Sequence, residues 1–245
     1  MQRTAAATGL LFAAIMLGCA ARASTDTAGK PSLVVREAQP EKVIRHEVEW
    51  RGPLRSERRV SMLEGPKLFS GPVSAEKNTS EPVRFSWYKI EGTDEFPATT
   101  VCVTMAGGSE VEFVVDAAAY LLSMTQTLDV GTPADIPAWL SQYVAYRILT
   151  PLDREGKLPA APVTADPNIH LKSPALLCLP VEQWHHHDSF PVKSSESCWI
   201  AYSVAPREGE VESLSTLDQF GLNSLQLTAV KWLCVPGEFR LVGRD

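Results

Sequence analysis

The run CWIAYSV, Cys198 to Val204, places an aromatic, two intervening residues, a tyrosine, one more residue and an aliphatic in a fixed order. The same types in the same order stand upstream in FSWYKI (Phe85 to Ile90) and YVAYRI (Tyr143 to Ile148). Tyr88, Tyr146 and Tyr202 are thus 58 and 56 residues apart, each with an aromatic three before it (Phe85, Tyr143, Trp199) and an aliphatic two after it. In a strand, positions two apart share a face, so each tyrosine and its later aliphatic point one way and the earlier aromatic points the other.

A second series supports the same period. KLFSGP, YLLSMT, ALLCLP and WLCVP align on Phe69, Leu122, Leu177 and Leu233, with spacings of 53, 55 and 56, and the two series interleave in constant order. A period near 55 residues over most of the chain is the mark of a repeat architecture.

Alternating runs fill the intervals. TTVCVTM (Thr99 to Met105), then Gly107 and Gly108, then EVEFVVD (Glu110 to Asp116) read as a hairpin with a glycine turn. In the last repeat, SLSTL leads through Asp218 and Gly221 into a further strand, while TPLDREGKLPAAPVTADPN in the middle repeat reads as a loop. Only Asp135 to Gln142 has a helical look, with Asp135 as N-cap. The expected fold is all-β: three tandem repeats of about 55 residues, roughly four short strands each, packed into one barrel- or sandwich-like body over residues 42–240.

The segments ALLCLP, CWIAYSV, TLDQFG and KWLCVP, between Ala175 and Pro236, resemble a β-rich domain of uncharacterised function that recurs in exported bacterial proteins. Its marks are Leu-Cys-x-Pro, Tyr-x-Val, Asp-Gln-Phe-Gly and Leu-Cys-Val-Pro. Before Ala175 the match fades: Ser70 and Ser123 replace cysteine, and Ala106 to Gly108 replace Asp-Gln-Phe. The resemblance implies export and a β-rich module, and no activity.

The N-terminus agrees with export. Arg3, an apolar stretch from Ala5 to Leu17 and the small residues after it form a secretory signal too short to span a bilayer as a helix. Ala21-Arg22-Ala23 suits cleavage before Ser24, giving a signal peptide over 1–23. Met16-Leu17-Gly18-Cys19 instead resembles a lipobox, giving 1–18 and a lipid on Cys19. Both place the protein outside the cytoplasm, with membrane contact only through a lipid anchor at Cys19. Residues 24–41, rich in Ser, Thr, Ala, Pro and charge, read as a flexible tether.

The remaining cysteines, Cys102, Cys178, Cys198 and Cys234, are an even set, and in an oxidising compartment two disulfides are the expectation. Their connectivity is open, with Cys178 to Cys198 and Cys102 to Cys234 preferred because the first two bracket one polar loop. Loss of Arg3 and Arg22 with the signal leaves 21 basic against 29 acidic residues, a net charge of -8. So acidic a chain has no general attraction for nucleic acid or anionic lipid, which leaves an unidentified envelope or extracellular partner. The basic stretch Arg51 to Arg59 reads as a solvated loop.

No nucleophile elbow, phosphate loop, thermolysin-like zinc motif or calcium loop is present in the sequence, so no catalytic residue and no cofactor is assigned. The tract WHHHDSF offers His185, His187 and Asp188 as a metal set, because imidazole and carboxylate suit zinc or copper and alternate residues share a face. Against it stands a solvated loop that contains histidine. Asp218 to Gly221 reads as a turn in which Asp bonds main-chain amides, Phe enters the core and Gly takes a positive φ. The expected function is a non-enzymatic exported interaction or structural module. A small-ligand or carbohydrate binder using the recurrent aromatics is the alternative, and a hydrolase with dispersed carboxylates comes third.

Overall fold

Strands of Val, Leu and aromatic residues dominate the computed structural model, which describes residues 30–73, 83–105, 107–128, 140–150, 170–207 and 211–242. Twelve strands lie among them: β1 (Leu33–Pro40), β2 (Ile44–Gly52), β3 (Arg55–Pro72), β4 (Phe85–Met105), β5 (Glu110–Met124), β6 (Gln126–Thr127), β7 (Gln142–Thr150), β8 (Leu171–His185), β9 (Asp188–Phe190), β10 (Ser197–Arg207), β11 (Glu212–Asp218) and β12 (Gly221–Leu241). The fold is all-β, and its pairings are antiparallel.

Eight of these strands close into a ring, β1–β3–β4–β5–β7–β8–β10–β12 and back to β1. Register shows how the repeats build it. Phe85 lies between Ser70 and Met124, Tyr143 between Leu122 and Pro180, and Trp199 between Cys178 and Pro236. Leu33 occupies the same kind of place between Pro72 and Cys234. The ring therefore holds four strand pairs: the three repeats, and a first pair made of β1 and β3.

The recurrent residues divide between two cores by strand alternation. Phe85, Tyr143 and Trp199 meet in one, with centroids 5.6, 5.6 and 4.8 Å apart and planes at 82°, 72° and 78°. Such edge-to-face packing is worth about 0.5–1.5 kcal/mol per pair beyond the area buried. Tyr88, Tyr146 and Tyr202 enter the other core and are 0%, 1% and 0% exposed. Neighbours follow suit: Leu176 and Cys178 face the first core, Leu177 and Leu179 the second. Strands buried on both faces explain the near-continuous apolar runs ALLCLP and CWIAYSV.

Several expectations are corrected. Residues 24–41 are not a tether throughout: Leu33–Pro40 is a strand, with Leu33 and Val35 buried against the ring aromatics, because two apolar residues of one strand face suffice to fill the fourth place. The four short strands expected per unit merge into longer ones. FSWYKI and TTVCVTM are both parts of β4, joined by irregular pairing between Lys89 and Thr99, where Gly92 has a φ of 81°. The hairpin turn at Gly107 and Gly108 forms as expected, both with positive φ. The second sequence series is shifted by one residue at its second member, since register aligns Leu122 with Cys178 and Cys234, and Leu121 with Leu177 and Leu233. Arg51 to Arg59 is the end of β2, a tight turn and the start of β3, not a loop, and Arg58 stacks 3.9 Å from the Trp184 ring centroid. The secretory signal, Cys19, Asp135 and the Thr150–Asn168 stretch beyond Thr150 lie outside the described residues.

The expected disulfides are absent: Cys102, Cys178, Cys198 and Cys234 are free and buried. Cys178 pairs with Trp199, so Cys198, the next residue, points into the opposite core. Cys102 pairs with Arg240, six residues along β12 from Cys234, roughly 20 Å at strand rise. Cys178 and Cys234 flank β10 in one core. Burial pushes the Cys178 and Cys198 thiols up, away from the reactive thiolate.

Two outcomes are expected. Native protein should give essentially no reaction with a thiol reagent, and four thiols should react on denaturation without reductant; unreactive denatured protein would mean disulfides. Tyr202 Oη is buried without a hydrogen-bond partner, whereas Tyr88 Oη is bonded. Urea titration should therefore show Tyr202→Phe neutral or stabilising by up to about 1 kcal/mol, Tyr88→Phe destabilising by about 1–2 kcal/mol, and Tyr202→Ala destabilising by about 3–5 kcal/mol.

Candidate functional site

The strand pair β11 and β12 ends in the Asp218-Gln219-Phe220-Gly221 turn, closed by the Asp218–Gly221 pair, with Gly221 at φ 112°. Asp218 Oδ1 accepts from the Phe220 amide at 2.9 Å, the local bond expected of a turn aspartate. Its other oxygen accepts from Tyr88 Oη at 2.8 Å, and Asn223 Nδ2 donates to the same Oη at 3.3 Å. Gln219 Nε2 donates to Gln183 Oε1 at 2.9 Å. The last hairpin is thereby bonded to β4 and β8.

Phe220 packs into a box of rings. Its centroid is 4.6 Å from Tyr88, 4.6 Å from His46 and 4.9 Å from His185. His46 is available from the sequence, because the alternation in IRHEVEW puts it on the face of Val48 and Trp50, but it was not singled out there. Burial, and then the positive potential of His185 and His186, lower the His46 pKa. Burial likewise lowers that of His185, with His186 adding to the effect and Asp188 opposing it. Burial pushes Asp218 up to about 6 against the stabilising bonds from Tyr88, the Phe220 amide and Ser86. Both Asp218 oxygens are engaged within the fold, so the group works as a clamp on the turn.

His185, His187 and Asp188 do not come together as a metal set. His185 pairs with Asp188 across a two-residue turn of His186 and His187, with His186 at φ 54°. His185 is turned inward toward Phe220 while His187 and Asp188 are exposed. Among the described residues no three His, Cys, Asp or Glu side chains are placed to hold a metal ion. The recurrent aromatics are buried, so they offer no stacking platform for a ligand.

A cavity of about 550 Å³ opens instead on the shaft of the same hairpin. Gln39, Glu41, Ser213, Ser215, Ser224 and Gln226 line it, with Pro40, Leu214 and Leu225. Register places these six polar side chains on one face, since Gln226 lies between Gln39 and Ser213, and Ser224 opposite Ser215. The reverse face, carrying Ala38, Leu214, Leu225 and Leu227 against Phe69, is buried.

The raised Asp218 pKa gives a pH dependence of definite sign. A carboxyl whose folded pKa lies above its ordinary 3.8 stabilises the fold fully below that value and loses the contribution as pH rises through about 6. The lowered histidines contribute above their ordinary 6.5 and lose it as pH falls. Asp218→Asn should therefore gain on wild type by about 2–3 kcal/mol between pH 4 and pH 7 in urea titrations, and should lose stability below pH 6.5. Parallel curves for the two proteins would contradict the assignment.

A family model described as a repeat of unknown function (DUF7450) matches residues 84–236. No curated protein and no solved structure matches the chain. The matched stretch begins at the foot of β4, ends at Pro236 in β12 and covers more than half of the chain, so the protein belongs to the DUF7450 repeat family.

Proposed function

We propose that this chain is an exported, non-catalytic β-repeat module that binds a partner in the cell envelope or outside the cell. The observation carrying this reading is where the repeated residues go. Phe85, Tyr143 and Trp199, with Tyr88, Tyr146 and Tyr202, are all within two buried cores. What the repeats share therefore serves folding, and recognition is left to what they do not share: the turns and the outward face of the last hairpin. Export is supported by the apolar Ala5 to Leu17 run with its two alternative cleavage sites. Burial keeps oxidants from the four thiols, so they can stay reduced in an oxidising compartment.

Binding of a small ligand is the second reading, favoured by the polar cavity between β1, β11 and β12. It replaces the expectation of an aromatic platform, whose rings are buried.

Intact mass of the protein after expression in a bacterial host tests export. A chain beginning at Ser24, or at Cys19 with added lipid mass, is expected in the periplasmic, membrane or culture fraction. Full-length protein confined to the cytoplasm would overturn it.

A further inference from the structure

The outward face of β2 and β3 is mostly charged. Its exposed positions carry Arg45, Glu47, Arg51, Glu57 and Arg58 beside Val60 and Met62, with ion pairs such as Arg51–Glu182 and Arg58–Glu49. That is the ordinary way to keep a strand face in water.

The outward face of β1, β12 and β11 is built differently. Its two inner rows are Gln39, Gln226 and Ser213, then Glu41, Ser224 and Ser215, and Leu222 and Leu217 form a row toward the tip. Glu41 is the one charged side chain in the cavity lining, and no lysine or arginine is among the lining residues. The leucines are 63% and 40% exposed. Strands lie about 4.8 Å apart and same-face residues about 6.8 Å apart along a strand. The three rows thus make a grid roughly 10 Å by 14 Å: hydroxyls, amides and the Glu41 carboxylate over two thirds of it, and apolar side chains over the rest.

We propose that this face is a binding site for an uncharged, hydroxyl-rich ligand of the saccharide class, two to three sugar rings long. The proposal rests on reading the chain as a binding module and names its ligand chemistry. Serine hydroxyls and glutamine amides both donate and accept, as sugar hydroxyls do, so each contact can be satisfied in either direction. The exposed leucines offer the apolar C–H face of a sugar ring a surface to cover. Charge decides against other classes: Glu41, without a lining cation, repels phosphates, uronates and nucleic acids. The 550 Å³ volume is in the usual range for small-molecule sites. Because the polar side chains stand outward while Leu214, Leu225 and Leu227 carry the packing, the face can be altered without altering the fold.

The purified protein is titrated with maltohexaose, cellohexaose and chitohexaose by saturation-transfer NMR, with an oligogalacturonate of equal length as the anionic probe. At least one neutral hexamer should bind saturably, with Kd roughly 0.1–10 mM, and the anionic probe should not. Gln226→Ala with Ser215→Ala should weaken that binding at least about fivefold, the effect of losing one or two hydrogen bonds. Arg58→Ala, on the charged face, should leave it unchanged. Failure of all three neutral hexamers, binding insensitive to the double substitution, or a self-associated state that the substitution dissolves would each overturn the proposal. The titration uses purified protein and is independent of localisation, so its failure and failure of the export reading are separate results.

Discussion

The edge-to-face contact among Phe85, Tyr143 and Trp199 is the constraint on which the rest of the structure depends. Each ring comes from a different repeat, and no repeat can bury its ring alone. Once the three meet inside the ring of strands, alternation sends Tyr88, Tyr146 and Tyr202 to the opposite side, where hairpin residues such as Val101, Phe113 and Trp50 cover them. A slip of one residue in any strand would exchange the two sets, so both cores hold every register at once. The fourth place, which has no aromatic, is filled by Leu33 and Val35 of β1, and closure leaves these eight strands without a free edge where they meet.

Burial on both faces has a consequence for function. The strands that carry the repeat signature have little surface left to recognise anything, so the polar and titratable groups of interest gather on the last hairpin. There Asp218, Tyr88 and Asn223 fix the turn to β4, although Tyr88 and Asp218 are 130 residues apart in the chain. The clamp costs stability at neutral pH, because a buried carboxylate with a raised pKa is ionised against its surroundings. What it secures is the position of the hairpin whose shaft bears the polar cavity.

The tyrosine series was legible because period and residue type agreed in three copies. The companion series was displaced by one residue at Leu122 for a physical reason: where both strand faces are apolar, Leu121 and Leu122 look alike, and only their partners tell them apart. β1 was hidden because Leu33-Val34-Val35 is a short apolar run between polar stretches, with no aromatic to mark it as a repeat member. Cysteine parity misled, since an even count in an exported chain says nothing about whether the registers bring the sulfurs together; Cys178 and Cys198 are neighbours across a sheet and point to opposite cores. The histidine tract was read as a surface loop or a metal set, and the ring actually used, His185, works with His46 from a strand 139 residues earlier. Long-range juxtaposition of that kind leaves no local signal.

A double-mutant cycle between Phe85→Leu and Trp199→Leu, followed by urea titration, tests most directly whether the repeats converge on one aromatic centre. The two residues are 114 positions apart and belong to the first and third repeats, yet their rings lie 5.6 Å apart. A coupling energy of about 0.5–1.5 kcal/mol is expected. Strictly additive losses would mean that the two rings do not touch, and the ring of repeats would have to be abandoned.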